Sequence, residues 1–186
     1  MKKIFLAAGI IFTATVTFGY DSIGGKHHKE ARKDIRSERR ADNRTQVSDF
    51  TKNKFRQDFP NARDVNFVRT KNFDEVAFIS GKKNRKIMKA YYDLNSDLIG
   101  TTQLKSFADL PGNSPANIHK NYAGYKTVEV IKFIDNGDNE TDMNLFSTRF
   151  DDKDAYFVEL AKNNREIVVK VDLSGDVSFF KDISTK

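Results

Sequence analysis

Apolar residues recur along this chain at two spacings, and the alternation between them predicts its elements. In VSDFTKNKFRQDFP, Val47 and Phe50, then Phe55 and Phe59, stand three and four apart. That is the period of an amphipathic helix, and Pro60 ends it by disfavouring helical backbone at the preceding residue. Val65, Phe67 and Arg69 then alternate with Asn66 and Val68, as in a strand. FDEVAFIS, a tip GKKNRK and IMKAYYDL form a predicted hairpin, with Met88, Ala90, Tyr92 and Leu94 on one face at period two. A turn at Asn95–Ser96 leads to a strand over 98–104.

The same order follows a second time. Ser114 is a helix-cap residue type, Pro115 suits a first helical position, Ile118 and Tyr122 give the apolar stripe, and Gly124 is a stop. KTVEVIKFI reads as a strand, and AYFVELAKNNREIVVKVDLSGDVSFF as a hairpin with a further strand. Phe59 matches Tyr122, Val65 matches Val128 and Phe67 matches Val130, all at an offset of 63. Beyond the first strand the offset becomes 79, aligning Phe78 with Phe157, Asp93 with Asp172 and Asp97 with Asp176. One 16-residue insertion, DNGDNETDMNLFSTRF at 135–150, accounts for the change. The chain therefore reads as two repeats, 47–106 and 107–186.

The duplication decides the chemistry of YYDLNSDLIG at 91–100, whose Asp93, Asn95 and Asp97 resemble the start of a calcium loop. An EF-hand loop needs Gly at its sixth place and a carboxylate at its twelfth. Those places hold Leu98 and Leu104, and Val177 and Ile183 in the copy. Both segments read as hairpin turns, in which Asp, Asn, Ser and Gly bond their own backbone or accept positive φ.

FRQDFPNARDVNF, the paired-strand block ending YYDLNSDLI, LPGNSPANIHKNYAGYKTVEVIKF and AYFVELAKNNREIVVKVDLSGDV together resemble the PepSY-like, β-lactamase-inhibitor-protein-like periplasmic proteins of Gram-negative bacteria, across nearly all of 47–186. Ser96 departs from that pattern by replacing a turn glycine, and the insertion lengthens the second half. The resemblance implies an α+β fold, with tandem helix-then-strands units forming an antiparallel sheet and both helices packed on one face. It also implies a non-catalytic role in binding or inhibition.

Residues 1–19 carry Lys2 and Lys3 before an apolar run from Ile4 to Phe18, which reads as a secretory signal peptide cleaved before Tyr20. The rival reading, a membrane anchor, needs about 20 apolar residues, and here a polar tail follows directly. The expected location is periplasmic or secreted, with no transmembrane span left after cleavage. Of the formal charge of +6, the leader holds +2 and residues 20–46 hold +3, leaving +1 for 47–186. Basic character thus belongs to the leader and to a flexible linker poor in large apolar residues, which argues against nucleic acid as a partner. The chain has no cysteine, so its fold rests on its core alone.

No catalytic constellation emerges. The only histidines are His27, His28 and His119. Ser114 in PGNSPA lacks the second glycine of a nucleophile elbow. His27 and His28 lack the further ligands that zinc needs. The expectation is a protein or peptide binder, not an enzyme, without catalytic, cofactor or metal residues. A small-molecule or calcium-binding protein using the acidic stretch 135–142 (Asp135, Asp138, Glu140, Asp142) is the alternative. Two segments are candidate contact surfaces: the basic tip Lys82, Lys83, Arg85 and Lys86, and the apolar residues Met143, Leu145 and Phe146 of the insertion. The tip reads equally as a solubilising cap on a hairpin, and the insertion equally as an extra edge strand.

Overall fold

The computed structural model describes residues 46–151 and 153–184. The expected leader, all of the expected linker but Gln46, and His27 and His28 lie outside these. Helix α1 (Asp49–Asp58) begins where Ser48 accepts the amide of Thr51, and it ends at Phe59 ahead of Pro60. Four strands follow: β1 (Arg63–Arg69), β2 (Asp74–Ser80), β3 (Lys86–Tyr92) and β4 (Leu98–Lys105). A short 3-10 turn (Phe107–Asp109) and helix α2 (Ser114–Asn121) lead to β5 (Lys126–Asp135). After it come a small ribbon, β6 (Asn144–Leu145) with β7 (Thr148–Arg149), and then β8 (Ala155–Lys162), β9 (Arg165–Asp172) and β10 (Val177–Asp182). Among the described residues no helix is long and apolar enough to cross a membrane.

The eight long strands make one antiparallel sheet in the order β1-β2-β3-β4-β5-β8-β9-β10, and the fold is α+β. Directly opposed residues share a face, so register shows where the helices lie. Val76, Ala90, Thr101 and Ile134 form one row across β2 to β5, and Val130, Val158 and Val169 form another across β5, β8 and β9. Ile134 and Val130 are four apart on β5, so both rows face the same way. Phe55 of α1 packs against Val76, Phe78, Ala90 and Tyr92 on that face, and Ile118 of α2 packs against Val130, Val158, Leu160 and Val169. Both helices therefore cover one side of the sheet.

The other side carries the insertion. Its strands β6 and β7 pair with each other and not with the main sheet, so no extra edge strand forms. Met143, Leu145 and Phe150 fold down onto Phe133, Phe157 and Val168, making a third layer over part of the helix-free face. Phe150 meets Phe133 and Phe157 edge to face, at centroid distances of 5.0 and 5.1 Å. Gly100 makes room for this cluster: a Cβ there would stand 2.7 Å from the Phe133 ring.

Three helix and turn positions differ from expectation. Asn113, not Ser114, precedes α2, and Ser114 is its first residue, its hydroxyl donating to the Pro111 carbonyl at 2.5 Å. Phe50 is 67% exposed, because the buried stripe of α1 runs through Val47, Thr51 and Phe55. Leu94 does not continue the β3 stripe, since the strand has ended and the residue sits exposed in the turn.

Candidate binding face and its groove

The ribbon covers only one end of the helix-free face, and beside it the sheet forms an open groove of about 410 Å³. Its floor is built from alternate residues of β3, β4 and β5, notably Ile87, Tyr91, Leu104 and Ile131, with Phe73 at the β1–β2 connection and Phe146 of the insertion on its walls. Ile87 is 57% and Leu104 39% exposed, so the floor is apolar surface in contact with solvent. An apolar floor open to water in a concave site is a candidate for interaction.

The polar groups of the groove are Glu75, Lys89, Thr102, Glu129 and Asn144, with Lys89 between Ile87 and Tyr91 on β3 and Thr102 opposite it on β4. Lys89 Nζ lies 2.8 Å from Glu75 Oε1, a half-exposed pair. The Tyr91 ring is buried edge to face against Phe73 at 5.4 Å, and its hydroxyl lies 3.2 Å from Thr102 Oγ1. Burial, with Glu75 and Glu129 nearby, pushes that phenol well above its ordinary range, so Tyr91 is neutral throughout physiological pH. On the β5 side Glu129 lies directly opposite Glu159 of β8. Burial first, then Glu129 and Glu166, raise the Glu159 carboxyl above the usual carboxylate range.

The expected contact residues are distributed unevenly around this groove. Lys82, Lys83, Arg85 and Lys86 are all exposed at the β2–β3 tip, the last of them adjacent in sequence to Ile87. Of the insertion's apolar residues, Met143 and Leu145 are buried in the core and are not an exposed surface, because the ribbon folds onto the sheet instead of projecting from it. Leu145 still lines the groove from inside, and Phe146, half-buried with φ of 50°, forms its wall. Phe73, Ile87, Tyr91, Leu104 and Glu129 were not singled out by sequence. The signal was present in IMKAYYDL, where apolar residues at both parities of β3 demand two covered faces.

The acidic stretch does not gather into a site. Asp142 pairs with Arg149, Asp138 and Glu140 are exposed, and burial raises the Asp135 carboxyl above its ordinary range. Among the described residues no three His, Asp or Glu side chains are placed to hold a metal ion. The two aspartate-rich segments are the β3–β4 and β9–β10 turns, held by the same bonds at an offset of 79. Asp93 Oδ1 accepts the amides of Asn95 and Asp97 at 2.8 and 2.9 Å, and Asp172 Oδ1 accepts those of Ser174 and Asp176, both at 2.9 Å. His119 is exposed, its ring centroid 5.2 Å from that of Phe107.

No protein-family model matches the sequence, and no curated protein does. Solved structures do align with it along most of its length. A BLIP-like protein from Bacteroides fragilis superposes with a TM-score of 0.56 at 13% identity, over 75% of this chain and 88% of that one. The fold is BLIP-like. A DUF2874 family protein from Bacteroides uniformis shares it with a TM-score of 0.58 at 10% identity, over 74% of this chain and 91% of that one. A candidate periplasmic protein from Bacteroides eggerthii shares it at 0.59 and 9%, over 74% and 90%. At these identities the BLIP-like likeness is one of architecture, and the residues of the groove have to be argued from this chain.

Proposed function

We propose that this protein is exported to the cell envelope and binds a protein or peptide there, without catalysing a reaction, through the helix-free face of its BLIP-like sheet. The observation that carries this reading is the groove, where Ile87 and Leu104 hold apolar surface in water on the sheet, next to a ribbon that covers one end of that face. A preformed floor of apolar and polar groups binds at little cost in ordering. Location in the periplasm or outside the cell, after removal of residues 1–19 and with 20–46 as a basic tether, follows from the leader's composition. Inhibition of an envelope enzyme is one form such binding would take.

Two copies of one helix-and-strands unit, 47–106 and 107–186, account best for the architecture. In support, the two aspartate turns share bonds and offset, and each abuts the start of its own helix: Ser96 reaches Thr51 of α1, and Gly175 touches Pro111 ahead of α2. The face opposite both helices would then be the product of joining the copies edge to edge.

The test is affinity capture from an envelope extract with the mature protein and its Leu104→Asp variant side by side. A protein retained by the first and lost with the second supports the reading. Equal retention on both places binding elsewhere and removes the groove from it.

A further inference from the structure

The margins of the groove are charged unequally, and this says what kind of segment it accepts. Glu129 and Glu159 are cross-strand neighbours of like charge, an arrangement that costs stability in a sheet. Among the described residues neither has a salt-bridge partner, whereas Glu75, on the opposite margin, is matched by Lys89. Glu75 is thus held in an ion pair on one side, and on the other, among the described residues, Glu129 and Glu159 are not. Between Glu75 and Glu129 the floor carries the apolar Ile87, Leu104 and Ile131, together with Lys89 and Thr102.

We propose that the groove binds an extended apolar peptide segment carrying a lysine or arginine, whose cation sits over Glu129 and Glu159 while its apolar side chains cover Ile87, Tyr91, Leu104 and Phe146. This rests on the binding role above and specifies its partner. Charge complementarity selects the cation, and the exposed floor selects apolar neighbours for it. The chain's own segment 20–46 fits poorly. It is dense in charge, with Ile23 and Ile35 as its only large aliphatic residues. Glu129 is exposed and open to an arriving cation, whereas Glu159 beside it is half-buried.

The experiment is selection from a random, charge-unbiased displayed peptide library on the mature protein, followed by binding of enriched peptides to variants. The expected result is enrichment of apolar peptides with Lys or Arg, binding about 10-fold more weakly to Glu129→Gln/Glu159→Gln and lost on Leu104→Asp. Both variants are to be checked for an unchanged far-UV spectrum and cooperative unfolding. A Leu104→Ser variant provides the same readout should the aspartate fail to fold. Enriched peptides that need Leu104 but are acidic or neutral, and indifferent to the glutamine pair, overturn the partner chemistry and leave the binding role standing. No enrichment at all, or peptides indifferent to both variants, overturns both. A synthetic peptide of residues 20–46 that displaces enriched peptides at equal concentration overturns the proposal in favour of an internal occupant.

Discussion

Ser96 Oγ lies 2.7 Å from Thr51 Oγ1, joining the β3–β4 turn to the first turn of α1 in a buried chain of hydroxyls. Thr51 gives its single hydroxyl proton to Asp74 Oδ2 at 3.1 Å, so Ser96, and Ser48 at 2.9 Å, are both donors to the Thr51 oxygen. Ser96 holds this position with φ of 73°, where its counterpart in the other aspartate turn is Gly175 at 93°. The bond to Thr51 offsets the backbone strain that a side chain meets there.

Replacing Ser96 separates those two contributions. Ser96→Ala keeps the strain and loses the bond, and is expected to destabilise the protein by about 1–2 kcal/mol. Ser96→Gly loses the bond but relieves a left-handed conformation worth about 1 kcal/mol, and should be the milder change. Urea denaturation of the two variants checks the order. An alanine variant as stable as the glycine one would mean that the turn carries no strain.

Asp74 is fully buried on β2 and receives both Arg69 Nε at 2.6 Å and Arg69 Nη2 at 2.7 Å. Removing one partner strands the other charge, so Arg69→Met or Asp74→Asn should each cost about 3 kcal/mol or more. The double variant should cost much less than their sum. Denaturation of all four proteins in a double-mutant cycle measures the coupling.

The third layer depends on a gap and a plug. Gly100→Ala places a methyl 2.7 Å from both the Phe133 ring and the Ile134 carbonyl oxygen, for an expected loss of about 1–3 kcal/mol. Met143→Ala empties a fully buried site beneath the ribbon and should cost about 2–5 kcal/mol. If Met143→Ala is neutral by thermal unfolding, the insertion does not pack on the sheet as described.

Glu159 gives a prediction with a definite sign. Its carboxyl is raised in the folded protein, by burial and then by Glu129 and Glu166, so folding favours the protonated form. Below the unfolded carboxyl range it contributes no penalty. As pH rises towards and past the raised folded value the penalty grows, and at neutral pH it is complete. Glu159→Gln should therefore raise the melting midpoint at pH 7 by about 1–3 °C, as a cross-strand pair worth some tenths of a kcal/mol implies. The gain should vanish near pH 3.5, and thermal scans at the two pH values read it directly.

The strands and turns of this fold were legible in sequence because their signals are local. The period-two spacing of Met88, Ala90 and Tyr92 in β3, the apolar runs of the other strands, and the aspartates of two turns need no tertiary knowledge. Phe50 was misread for the opposite reason: hydrophobicity put it on the buried stripe, while Thr51 holds the inward place through hydrogen bonds to Asp74 and Ser96, residues far away in the chain. Met143 and Leu145 looked like exposed loop residues because nothing local shows that the insertion folds back onto a sheet face. The groove was hidden by the same fact, since it exists only where that coverage stops.

Every long strand of the sheet pairs with the one that follows it in the chain, apart from the ribbon inserted between β5 and β8. Such an order keeps loop closures short, and a chain without cysteine waits for no oxidant. Each hairpin of such a sheet finds its partner strand next in the chain, so a nascent chain is not obliged to hold its first hairpins open until its last ones arrive.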